Sequence, residues 1–151
     1  AIITTEELAN QFNNGMEYFN SFGGNPVSSA IGHTVLKIIK DEKLQKNAFN
    51  VGFYLKKELL SLKKTFEIIG DVRGEGLFLG IEIIAKTDII KPDPKAAKQI
   101  VNKMKELGVL LSTDGPYNNV IKIKPPIIFS EKDADFLLNK LDKTISSISK
   151  K

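Results

Sequence analysis

Along residues 44–62 the apolar residues Leu44, Ala48, Val51, Leu55, Leu59 and Leu62 recur at steps of three and four, whereas Leu77, Leu79, Ile81 and Ile83 recur at every second position. The first spacing keeps side chains on one face of a helix, and the second keeps them on one face of a strand. A chain that changes period in this way packs helices against a sheet. The α+β class therefore follows before any other property is considered.

The remaining elements are read from caps and breakers. Thr4 and Glu7 stand at capping-box spacing before a short helix ending at Phe12. A Gly- and Asn-rich loop fills residues 13–25. Asn25 is then an N-cap with Pro26 at the first helical position, and Ile31, Val35, Leu36, Ile38 and Ile39 form the stripe of a helix ending near Lys40. The helix over residues 41–64 is a second one or a bent continuation, and the two make a long helical arm. Phe66–Ile69 reads as a short strand, separated from the alternating strand by the loop Gly70-Asp71-Val72-Arg73-Gly74-Glu75-Gly76. Lys91-Pro92-Asp93-Pro94 breaks the chain and opens a helix that stops at Gly108. Val109–Leu111 and Val120–Lys124 read as two further strands, the second with Lys122 and Lys124 on a wet face. Ser130 and Asp133 cap a last helix with Ala134, Leu137, Leu138, Leu141, Ile145 and Ile148 inward. Strand pairs separated by helices give a small, mostly antiparallel sheet with helices packed on one side. The expected boundary lies near residue 25, since residues 1–24 are too few for a core.

Composition narrows the function classes. At 151 residues with 42% hydrophobic and 26% charged content, the chain is ordinary globular material. It has no cysteine, which removes disulfides, thiolate metal sites and thiol nucleophiles and is compatible with a reducing compartment. The net charge of +4 includes a single arginine, and the lysine pairs Lys56-Lys57 and Lys63-Lys64 read as solvated helix faces rather than a nucleic-acid or anionic-membrane patch. No apolar run approaches the ~20 residues of a membrane span, and no signal-peptide pattern opens the chain. The opening Ala-Ile-Ile reads as the end of a strand, and the expectation is a piece of something longer.

Two segments carry candidate chemistry. In Ser21-Phe22-Gly23-Gly24-Asn25-Pro26 a hydroxyl, two glycines and a helix start suit a phosphate or carboxylate, but a plain loop and cap is the preferred reading of these residues alone, because Gly-Gly before a helix is common and the pattern is neither a Walker nor a dinucleotide motif. Arg73, set among Gly70, Gly74 and Gly76, suits bidentate recognition of a carboxylate or phosphate. It can instead pair with a local acid, Asp71 or Glu75. His33 reads as a satisfied or solvent-facing helix residue, Ser112-Thr113-Asp114-Gly115-Pro116 as turn chemistry, and Lys122–Pro126 as a strand and its stop. No carboxylate pair, metal cluster or serine triad can be assembled.

Three stretches carry a resemblance. The segment from Gly15 through Tyr18, Ser21, Gly23 and Gly24 to Val27 is similar to the class III, ornithine-type aminotransferases, pyridoxal-phosphate enzymes of fold type I. Gly70–Leu77 resembles a second motif of that family. Leu110–Pro116 with Asn119–Pro126 resembles the branch that contains the ethanolamine-phosphate and phosphohydroxylysine phospho-lyases and their alanine-glyoxylate aminotransferase-like relatives.

The resemblance implies that residues 1–24 are a remnant of the large cofactor domain and that residues 25–151 form the helical arm and the C-terminal small domain. It implies pyridoxal phosphate as cofactor, an amine or amino-acid substrate with a keto-acid acceptor, a cytoplasmic homodimer, and no nucleic-acid or membrane partner. Ser21, where the family usually has threonine, would contact the cofactor phosphate in the partner subunit's site. Arg73 would receive the substrate α-carboxylate. The family's Schiff-base lysine belongs to a glycine-flanked motif upstream of the segment matching residue 1, and no lysine here sits in such a motif. The chain is accordingly expected to be a C-terminal fragment, inactive alone. A phospho-lyase parent and a non-catalytic anion- or partner-binding module are the alternatives.

Overall fold

The computed structural model describes residues 2–86 and 88–149. They form two compact units, residues 1–37 and 38–151. The first holds helix α1 (Glu6–Phe12) and most of α2 (Pro26–Asp41). The cap of α1 is Thr5, one residue later than the spacing of Thr4 and Glu7 predicts: its hydroxyl accepts from the Leu8 N–H. Asn25 caps α2 as expected, its Oδ1 accepting from the Ser28 N–H at 2.8 Å. No residue of either helix is buried; of the apolar stripe of α2, Ile31, Val35, Leu36 and Ile38 are exposed and Ile39 is half-buried.

In the second unit α3 (Leu44–Thr65) starts after Lys43, which adopts a left-handed φ of 53° and separates α3 from α2. The helix buries Leu44, Val51, Leu55 and Leu59, the residues its 3.6-residue period predicts. Next come β1 (Ile69–Glu75), β2 (Phe78–Ala85), β3 (Asp88–Pro92), α4 (Pro94–Glu106), β4 (Ser112–Asp114), β5 (Val120–Ile123) and α5 (Glu131–Ser149).

The glycine-rich segment expected to be a loop is itself β1. Ile69, Asp71 and Val72 pair in turn with Ile83, Glu82 and Ile81, with a bulge between Ile69 and Asp71. The tight connection through Gly76, at a φ of +52°, is what releases residues 70–75 to pair. The pairing strand also lies later than Phe66–Ile69 because Phe66 serves as the C-cap of α3. Strand β3 has no counterpart in the sequence reading, where the prolines masked it. Val109–Leu111 is not a strand, because Gly108 turns the end of α4 and Val109 N–H bonds back to the Met104 carbonyl at 2.9 Å. The ladder starts only at Ser112.

All pairings are antiparallel, in the order β1-β2-β5-β4 with β3 on β2. Leu79, Ile81, Ile83, Ile121 and Ile123 point to one face and are buried there against Leu55 and Leu59 of α3, Ile100 and Met104 of α4, and Leu141 and Ile145 of α5. The Asp93 side chain caps α4 through the Ala96 N–H, and Ser130 and Asp133 cap each other's backbone N–H groups at the start of α5. Among the described residues of this unit no helix packs on the opposite face of the sheet, where Asp71, Arg73, Glu82, Asp114 and Lys122 lie.

Candidate functional site

That open face is where the chemistry-bearing residues gather. Arg73 on β1 lies opposite Gly80 on β2, and Gly80 lies opposite Lys122 on β5. With neighbouring strands about 4.8 Å apart, the two cationic residues are rooted about 10 Å from each other. The residue between them has no side chain. A Cβ at Gly80 would meet Val120 Cγ1 at 3.1 Å, so glycine keeps this part of the face low. The result is a trough of about 470 Å³ lined by Arg73, Gly74, Phe78, Gly80, Asp114 and Lys122 among others.

Both cations are already paired. Arg73 Nη1 donates to Asp71 Oδ2 at 3.0 Å and to Glu82 Oε2, and the side chain remains 50% exposed. Glu82, followed by Asp71, holds the guanidinium proton more firmly than usual. Of the two local acids the sequence offers, Asp71 pairs with Arg73 and Glu75 does not. Glu82 is not a sequence neighbour of Arg73; the β1–β2 register brings it from across the hairpin, beyond the reach of local sequence. Lys122 Nζ donates to Asp114 Oδ2 at 2.7 Å, and Lys122 first and the Gly115 N–H second hold the Asp114 carboxyl below its usual value. Lys122 and Asp114 were read as plain strand and turn. The alternation of residues 120–124 already puts Lys122 on the wet face opposite Ile121 and Ile123; that Arg73 and Asp114 share this face follows only from the strand registers.

Ser21 lies in the other compact unit, at an exposed turn. The turn is shaped by Asn20: its Oδ1 accepts the Phe22 N–H at 2.9 Å and its carbonyl the Gly23 N–H at 3.2 Å. Gly24 has a φ of +73°, and a Cβ there would meet nothing within 4 Å, so this glycine serves the backbone turn rather than clearance. Asn25 occupies the Ser28 N–H, which removes one of the helix donors an anion would use. His33 is exposed on α2 as expected. Among the described residues no group of three His, Cys, Asp or Glu could hold a metal ion.

The class III aminotransferase family model matches residues 1–145, and the chain belongs to that family. It is 52% identical over 141 residues to an alanine–glyoxylate aminotransferase 2-like protein of Drosophila melanogaster, covering 91% of this chain and 28% of the relative. It is 38% identical over 151 residues to an ethanolamine-phosphate phospho-lyase homologue of Caenorhabditis elegans, covering 99% of this chain and 32% of the relative. A solved phospholyase from Arthrobacter, in complex with phosphoethanolamine, superimposes with a TM-score of 0.89 at 41% identity, over 95% of this chain and 34% of its own. The chain thus spans about a third of the length of these relatives.

Proposed function

We propose that these residues belong to a pyridoxal-phosphate-dependent aminotransferase that takes an amine or amino acid and a keto-acid acceptor and works as a cytoplasmic homodimer. In this reading residues 1–24 belong to the cofactor domain and residues 25–151 to the arm and small domain. The observation that carries it is the trough between Arg73 and Lys122 in a chain of this family. Its two cations and the carboxylates of Asp71, Glu82 and Asp114 make a mixed-charge surface. Such a surface suits a zwitterion, which brings an ammonium and an anionic group together, better than a simple anion.

The fit to the cofactor is confined to its phosphate. The Ser21 hydroxyl is exposed beside Gly23 and Gly24, where backbone can approach an anion, and residues 13–24 around it are exposed as well. Ser21 would therefore reach a phosphate held mainly by another surface, as in the partner subunit's site. When bound, the cofactor supplies an electron sink for the substrate amine. Arg73 would orient the α-carboxylate with its Nε and Nη2 donors, which make no described bond, while Nη1 stays anchored to Asp71 and Glu82. Lys122 would receive a second anionic group by exchanging it for Asp114.

A phospho-lyase acting on phosphoethanolamine or phosphohydroxylysine is the second reading, favoured by the Arthrobacter likeness. The full-length enzyme, loaded with cofactor, should be assayed for amine transfer from alanine to glyoxylate and for phosphate release from both phosphorylated amines. Amine transfer supports the first reading. Phosphate release without transfer selects the second, and neither activity would overturn both.

A further inference from the structure

The lysine pairs of α3 read from sequence as a solvated face, but the structure gives them company that a solvated face lacks. Phe49 is 60% and Phe53 69% exposed, and Leu60 is exposed on the same side. At 100° per residue these three fall within an arc of roughly 40° along α3. Lys46, Lys57 and Lys64 border that arc on one side and Lys63 on the other, over a length of roughly 27 Å; Lys56, on the same side as Lys63, is engaged with the protein, its Nζ donating to the Gly74 carbonyl at 2.9 Å. Buried Leu44, Val51, Leu55 and Leu59 occupy the opposite side against the sheet, so the helix is apolar on two faces. A shallow depression of about 880 Å³ runs along the outer one, lined by Phe53, Leu60, four lysines, Ser61 and a single acid, Glu58. Glu58 is half-buried and shares its side of the helix with Tyr54 and the acids facing it from α5, Glu131 and Asp135.

We propose that this outer face of α3 lies on an anionic lipid surface, with Phe49, Phe53 and Leu60 entering the headgroup boundary and the flanking lysines meeting lipid phosphates and carboxylates. A helix that rests in the plane of a membrane surface carries this pattern: an apolar stripe rich in Phe and Leu, bordered by lysines whose stems run along it and whose ammonium groups stay at the charged layer. The pattern argues for an anionic lipid surface: the exposed apolar side chains are Phe and Leu, and the charged residues of α3 beside them, Lys46, Lys57, Lys63 and Lys64, are all cationic, while Glu58 lies on the other side of the helix. No described helix is long and apolar enough to cross a membrane, so the contact is with its surface.

Sedimentation of the full chain with vesicles of phosphatidylserine and phosphatidylcholine, against vesicles of phosphatidylcholine alone, tests this. Binding should need the anionic lipid and weaken with salt. The double variant Lys57→Gln with Lys64→Gln should weaken it about 25-fold, roughly fivefold per lysine. Phe49→Ser with Phe53→Ser should abolish it while leaving the thermal midpoint in place, since both rings are exposed. Phe12→Ser with Phe22→Ser, exposed rings of the other unit, should leave it intact. The proposal is overturned by absent vesicle binding, by equal binding to neutral vesicles, or by loss only with the Phe12 and Phe22 variants. Retention on polyglutamate or RNA without vesicle binding would also overturn it, and would assign the face to an acidic macromolecule.

Discussion

Gly52 of α3 and Gly76 of the β1–β2 turn are in such close contact that a Cβ on Gly52 would lie 2.1 Å from the Gly76 carbonyl oxygen. The helix and the hairpin that carries Arg73 are thereby locked backbone to backbone. Gly52→Ala gains about 1 kcal/mol in helix propensity, but it forces helix and turn apart, and overpacking of this kind costs about 1–3 kcal/mol or more. The net expectation is a clear loss in urea unfolding. Gly76→Ala separates the two causes. Its Cβ would meet nothing closer than the Ala48 carbonyl oxygen at 3.6 Å, so it should lose only the roughly 1–2 kcal/mol of a left-handed alanine.

Asn119 is buried, and its Nδ2 donates to the Ile83 carbonyl at 2.9 Å while its own carbonyl accepts the Ile83 N–H at 2.8 Å. It extends the β2–β5 ladder by one side-chain rung and fixes the register that sets Gly80 beside Lys122. The Ile83 carbonyl also accepts the Asp93 N–H at 3.1 Å, so Asn119→Ala removes one of its two donors and should cost about 0.5–1.5 kcal/mol. Faster hydrogen exchange along β5 is the accompanying signature, and a variant as stable as the parent would show that water replaces the amide.

Neither contact is legible in the sequence, because each joins residues far apart along the chain. The periods of α3, α4, α5 and β2 exposed the core, and Asn25, Asp93 and Ser130 exposed helix starts, because each of those features is local. The β1 strand was hidden because its glycines and charges resemble a loop until β2 supplies a pairing partner. Strand β3 and the late start of β4 were hidden by prolines and by a backbone bond at Val109. Arg73 was visible as the only arginine. Its partner Glu82 and its neighbour Lys122 became visible only once two strand registers were known.

Tyr54 donates to Asp135 Oδ1 at 2.5 Å, and that bond first, then burial, push its hydroxyl up to about 12 from 10.0. A proton held more tightly in the folded state stabilises the fold below pH 10, and this contribution is lost as pH rises through about 12. Ultraviolet titration of tyrosinate should show a step near pH 12 that disappears in Tyr54→Phe and moves down in Asp135→Asn. A titration unchanged by Asp135→Asn would mean that the carboxylate does not hold the hydroxyl.

Ser21 should matter through cofactor affinity in the full-length dimer, since a hydroxyl bond to a charged phosphate is worth roughly 1.5–3 kcal/mol. Ser21→Ala should weaken cofactor retention by that amount and Ser21→Thr should not. Mixed dimers pairing Ser21→Ala in one subunit with a disabled Schiff-base lysine in the other locate the defect. Normal retention in every combination would make Ser21 a loop residue only.

Arg73 and Lys122 divide the trough between them, and the kinetics of their variants should separate clamp from strut. The Arg73 pairs are half-exposed, so their removal should cost the fold no more than about 1 kcal/mol. A lost clamp on a buried substrate carboxylate costs roughly 2–5 kcal/mol in kcat/KM. Arg73→Ala should therefore impair turnover of an amino acid far more than it impairs stability, and Arg73→Lys should recover only part, because a point charge cannot reproduce the guanidinium fork. Phosphoethanolamine has no α-carboxylate. With that substrate the heavier loss should follow Lys122→Gln if the lysine releases Asp114 to take the phosphate. If both arginine variants lose stability and keep kcat/KM on both substrates, Arg73 holds Asp71 and Glu82 in the sheet, and substrate recognition in the trough falls to Lys122.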